Sequence, residues 1–190
     1  MTRMIRTPWT VCCSLLAVLV ASLGACAEAP PPARPAPTQA HPLEGAWQLR
    51  AFAYRSTDTT VRVAPAQGGM FLFTAGHYAL QWAPVREPRV PFDTLSAPRD
   101  EEVLAAFRSV VFNAGRIVAV TDSTLVTEAA VAKVPGFEGG RQVYRYALDE
   151  AAGALTLTMV DETYPDGSKP AWSGTWETVF ELAGADPTRR

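Results

Sequence analysis

Tyr144 and Tyr146 alternate with Arg145 in the run RQVYRYAL, residues 141–148, which gathers the most usable side chains of the sequence into one short stretch. Successive side chains of an extended strand point to opposite faces. Gln142, Tyr144, Tyr146 and Leu148 therefore share one face, and Arg141, Val143 and Arg145 the other. If the tyrosine face lines a cavity, two phenols can orient a polar headgroup by hydrogen bonds. If the arginine face does, Arg145 can meet an acidic ligand. Tyr78, Leu80 and Trp82 in HYALQW pose the same choice, and the simpler role for aromatics at alternate strand positions is packing.

Covalent and acid–base chemistry has less to work with. The sequence contains no HExxH, no Walker loop and no GxSxG elbow. Its two histidines are His41, in a proline-rich spacer, and His77, in a hairpin turn, which leaves a nucleophile or a metal without a set of partners. Glu128, Asp161 and Glu162 could act as paired carboxylates, but acidic side chains near strand ends are ordinarily solvated. The glycines of GFEGGR precede no helix, so they suit a loop at one mouth of the fold better than a phosphate cradle. The expectation is no catalytic residue, no metal and no cofactor, with Tyr78, Trp82, Tyr144, Tyr146 and Arg145 as candidate ligand-binding residues.

The elements that position these residues are strands. From Leu43 onward apolar residues recur at period two, separated by turn chemistry. Trp47, Leu49, Ala51 and Ala53 are expected on one face of a first strand, and 69–74 with 78–82 as a hairpin about TAGH. Further strands are expected at 116–120, 125–132, 141–148, 154–160 and 173–182, the last with Trp172, Gly174, Trp176, Thr178, Phe180 and Leu182 on one face. Between them, 83–97 holds three prolines and reads as a loop. Val103, Leu104, Phe107, Val110 and Val111 then fall on one helical face from Asp100 to Asn113, with Ser96 as cap and Gly115 as stop. Loop and helix are candidate lids. Eight or nine antiparallel strands with one accessory helix suggest a closed meander, because closure removes exposed sheet edges.

The ends read differently. Arg3 and Arg6 precede an uncharged run from Val11 to Ala25, the order of a secretory signal peptide and too short to span a bilayer. Leu23-Gly24-Ala25-Cys26 resembles the bacterial lipobox, which implies acyl chains on Cys26 and a membrane anchor. Ala27 after the cysteine, where aspartate would favour inner-membrane retention, points to the outer membrane. Six prolines between Ala27 and Pro42 make an extended spacer. The expected organisation is a signal peptide over 1–25, a lipidated cysteine and linker over 26–42, one domain over 43–183, and a loose tail over 184–190. Past Cys26 no cysteine remains to pair with it, and a formal net charge of −2 gives no electrostatic case for a nucleic-acid partner.

LEGAWQLRAF, residues 43–52, resembles the first strand of lipocalins, whose Gly-x-Trp motif would here be Gly45-Ala46-Trp47. GGMFLFTAGHYALQW, VPGFEGGRQVYRYAL and GALTLTM follow in the order seen in bacterial lipocalin-like domain proteins. The resemblance implies a small antiparallel lipocalin-like β-barrel, with Gly45 and Trp47 at its floor. It also allows Arg145 to bridge to that tryptophan, as an arginine does in many lipocalins. The expected function is non-covalent binding of a small apolar or amphipathic molecule by a monomeric, envelope-anchored lipoprotein. A filled barrel with large residues meeting at its centre would favour a surface that engages an envelope partner. A cavity holding a carboxylate beside Tyr144 or Tyr146 would favour an enzyme, ranked third.

Overall fold

The computed structural model describes residues 40–185. Nine strands and one helix account for the regular structure: β1 (Gly45–Arg55), β2 (Thr60–Val63), β3 (Gly69–Phe73), β4 (His77–Trp82), α1 (Asp100–Arg108), β5 (Val111–Val120), β6 (Thr124–Ala132), β7 (Arg141–Asp149), β8 (Ala154–Thr163) and β9 (Glu177–Gly184). All neighbours pair antiparallel, in chain order from β3 to β9, and β1 pairs with β9 from Trp47↔Gly184 to Arg55↔Glu177, closing the sheet. On its other edge β1 meets β3 through Gly45–Gln48 and β2 through Phe52–Arg55. β2 and β3 are two pieces of one interrupted strand, so nine strands occupy eight barrel positions.

The first strand departs from simple alternation. Leu49 pairs with Leu182 and Ala51 with Glu181, so Arg50 is an extra residue, a β-bulge that switches faces. Trp47 and Leu49 share the interior with Phe52 and Tyr54, whereas Ala51 and Ala53 lie on the outer face with Glu181 and Val179. This corrects the expectation of one face for Trp47, Leu49, Ala51 and Ala53.

Large side chains fill the middle of the barrel. Phe52 and Phe180 meet Trp82 edge-on at 4.8 and 5.1 Å between centroids, and Phe71 meets Phe180 at 5.1 Å. Leu155, Leu157 and Leu182 complete the contact set from β8 and β9. The end carrying the β3–β4, β5–β6 and β7–β8 turns is closed. There Trp47 Nε1 donates to the Leu43 carbonyl (2.8 Å), and Leu43 is fully buried. His41, expected in the spacer, belongs to this plug: its Nδ1 accepts from the Leu43 amide and its Nε2 donates to the Thr74 carbonyl (2.9 Å).

The excursion between β4 and β5 also differs from expectation. α1 starts at Asp100 as expected but ends at Arg108 rather than Asn113, has no buried residue, and is capped at Arg99 rather than Ser96, with Glu102 Oε2 accepting from the Arg99 amide (2.8 Å). Residues 111–120 form one strand, because β4 and β6 offer backbone partners along nearly its whole length. Gly115, expected to stop a helix, lies within that strand. A Cβ there would come within 2.1 Å of the Glu128 carbonyl oxygen, so glycine permits the close approach of β6. The last strand starts at Glu177 rather than Ser173, and Trp172 and Trp176 precede it in the β8–β9 loop.

Because the obstruction at Gly115 is backbone, repacking cannot relieve it. Gly115→Ala is expected to lower unfolding stability by about 3 kcal/mol, read as a fall in the urea midpoint.

Candidate functional site

The end opposite the plug is open on one side. Here the start of β5, the β6–β7 loop (133–140) and the β8–β9 loop (164–176) border a cleft of about 510 Å³. Its walls include Val111, Phe112, Pro135, Phe137, Tyr164 and Pro165, and its polar inner end holds Asn113, Gln142 and Glu162. That volume lies within the ordinary range of small-molecule sites.

Local sequence explains the walls. In the β6–β7 loop Phe137 folds back onto its own turn, with the Gly140 amide donating to the Phe137 carbonyl (2.8 Å). A Cβ on Gly140 would lie 2.6 Å from the Phe137 ring, so the fold-back requires glycine there. The ring then meets Tyr164 edge-on at 6.2 Å. The helix excursion is linked to the cleft through Lys133, whose Nζ donates to the Val110 carbonyl (2.6 Å) and sits 4.3 Å over the Phe107 ring.

Gln142 organises the polar end. Its Nε2 donates to Glu162 Oε2 (2.6 Å), while its Oε1 accepts from the Tyr144 hydroxyl (2.7 Å) and from Asn113 Nδ2 (3.3 Å). Of the buried oxygens nearby, Asn113 Oδ1 has no hydrogen-bond partner, while the Tyr78 hydroxyl and Thr127 Oγ1 face each other. Unsatisfied buried polar atoms are uncommon in folded proteins and call for a specific reason. Burial pushes the Tyr144 phenol well above its usual range and the Tyr78 phenol up to about 12, so both are neutral hydroxyls.

Adjacent carboxylates have opposite fates. Asp161 accepts from Lys169 Nζ (2.6 Å) and Ser173 Oγ (2.7 Å), which hold its carboxyl below the usual range and tie down the β8–β9 loop. Glu162 faces inward, where burial raises it; the Gln142 hydrogen bond offsets part of the rise and the Asp161 charge adds to it. β8 extends to Thr163, which places Glu162 inside the barrel mouth rather than in the solvated loop expected for it.

The family model of the lipocalin-like domain matches residues 44–181. The chain belongs to that family. The match spans nearly all of the described barrel and accounts for the closed antiparallel architecture. No curated protein matches the chain significantly.

Within this lipocalin-like domain the tyrosine face of β7 looks inward, so the choice between its faces is resolved. Tyr144 is buried at the inner end of the cleft, and Tyr78 reaches the same polar region from β4. Trp82 is also interior but is committed to the aromatic packing with Phe52 and Phe180. Tyr146 faces in toward the closed end, where its hydroxyl donates to the Thr121 carbonyl (2.6 Å). Arg145 lies outside the barrel, paired with Glu177, so it neither lines the interior nor bridges to Trp47. Cys26 falls outside the described residues. Asn113, Thr127 and Glu162 were not singled out from sequence as ligand-binding residues; Asn113 was hidden by the helical reading of 100–113, and the inward alternation of β8 is interrupted by an irregularity between its pairings with Val143 and Tyr144.

A carboxyl whose folded-state pKa is raised takes up a proton on folding, so its contribution to stability falls as pH rises above the unfolded value, here 4.5. Glu162→Gln removes that penalty. The variant is expected to gain in melting temperature relative to the wild type between about pH 4 and about pH 7. Parallel thermal melts check it, and a gap that does not change with pH contradicts it.

Proposed function

We propose that this lipocalin-like domain binds a small amphipathic molecule in the mouth cleft, without chemistry, as an anchored protein of the bacterial envelope. The observation that carries the reading is the cleft itself, with apolar walls from Val111, Phe112 and Phe137 and an inner end of buried, partly unsatisfied polar groups. Such a site gains from excluding water along its walls and from supplying hydrogen bonds the protein leaves unmade. The filled centre of the barrel supports a ligand at the rim rather than deep inside, and it also favours the second reading, a surface that engages an envelope partner.

Catalysis has weaker support. The cleft does hold a carboxylate, yet the Gln142 amide separates Glu162 from the Tyr144 hydroxyl, and an amide is a poor carrier of protons. Envelope anchoring rests on Cys26 and its lipobox-like setting.

Native mass spectrometry of the full chain, purified gently from bacterial membranes, tests the binding reading. A stoichiometric small-molecule adduct is expected. Phe137→Ala, which removes wall area, is expected to weaken its binding by about tenfold. Bare protein, with no thermal stabilisation by a panel of amphiphiles, would overturn the reading. Anchoring is tested separately: Cys26→Ala is expected to move the protein from the membrane to the soluble fraction.

A further inference from the structure

The hydrogen bonds at the inner end of the cleft have a direction. Glu162 accepts from Gln142 Nε2, which turns the other end of that amide, Oε1, toward Tyr144 and Asn113. Oε1 in turn draws the Asn113 amide nitrogen, so the carbonyl Oδ1 of Asn113 is left over. Asn113 is only 4 % exposed, lines the cleft, and its Oδ1 has no partner. One N–H of Gln142, one N–H of Asn113 and the Tyr144 hydroxyl are thus consumed internally. On the cleft lining this leaves acceptor capacity to spare, on Asn113 Oδ1 and on the Glu162 carboxylate.

Charge points the same way. The lining carries two carboxylates, Glu162 and Asp166, against one ammonium, Lys133. Lys133 is occupied by the Val110 carbonyl and the Phe107 ring, and Asp166 accepts from the amide and hydroxyl of Ser168. Among the described residues no lysine or arginine pairs with Glu162; Gln142 is its hydrogen-bonding side-chain partner. A half-buried carboxylate with one neutral donor is stabilised by a proton or by a cation brought to it, and at neutral pH a ligand cation can serve.

We infer that the ligand of the cleft is an organic amine, whose ammonium donates to Glu162 and Asn113 while its apolar body lies along Phe112 and Phe137. The inference rests on the binding reading above and specifies its headgroup. An ammonium supplies three donors, enough for both acceptors. A carboxylate headgroup would bring no donor and would face Glu162 with like charge.

Calorimetric titration of the full chain at neutral pH with phenylethylamine, phenylethanol and phenylacetate separates these headgroups on nearly the same apolar body. The amine is expected to bind at least about tenfold more tightly than the alcohol, and phenylacetate most weakly. Glu162→Gln is expected to reduce the amine's advantage over the alcohol to about twofold or less. The wild-type ranking needs no variant, so it decides even if Glu162→Gln folds poorly. Alcohol or phenylacetate binding as tightly as the amine would overturn the headgroup inference and leave the cleft reading intact, as would an amine advantage that persists in a folded Glu162→Gln. Absence of binding by all three would overturn the cleft reading and this inference with it.

Discussion

Both edges of β1 are occupied, by β9 on one side and by β2 and β3 on the other, and the rest of the structure depends on that closure. It joins the first strand to the last and gives the strands a common interior, with β2 left paired on one edge only. The single extra residue at Arg50 lets β1 keep both partners while turning Phe52 and Tyr54 inward. Phe52 then anchors the edge-on aromatic cluster that fills the centre. A barrel so filled has room only at its mouth.

The mouth differs from the centre because its side chains come from strands that overrun their neighbours' packing. β8 continues past Met159 to Glu162, and β5 starts at Val111. These extensions bring Glu162 and Asn113 to opposite ends of one glutamine amide. That amide couples them: the state of the carboxylate fixes which atoms of Gln142, and through it of Asn113, face the cleft. A geometric accident of loop packing would not require this order. Directional hydrogen bonding among buried amides does.

Much of the architecture was legible in the sequence because it is local. TAGH marks the β3–β4 turn, and the alternation of Tyr144 and Tyr146 with arginines marks β7 without revealing which face looks inward. Features set by distant partners were not. The bulge at Arg50 is visible only against Leu182 and Glu181, and a period-two count carried across it puts Ala51 and Ala53 on the wrong side. Residues 103–111 have a helical apolar period, yet the final part of that run pairs as β5 because β4 and β6 leave a strand position between them. The cleft suffered most from this, since Asn113, Gln142 and Glu162 lie far apart in sequence and meet only through register. Gln142 was visible as a neighbour of Tyr144 on one face, but nothing local distinguishes Glu162 from the solvated acids around it.

The polypeptide enters the barrel beside the plug, where His41 hydrogen-bonds the Thr74 carbonyl, at the end away from the cleft. Chain joined at residue 40 therefore meets the domain at its sealed end. Tension along that chain would load the His41, Leu43 and Trp47 contacts first. The cleft would keep its shape while the plug bore the strain.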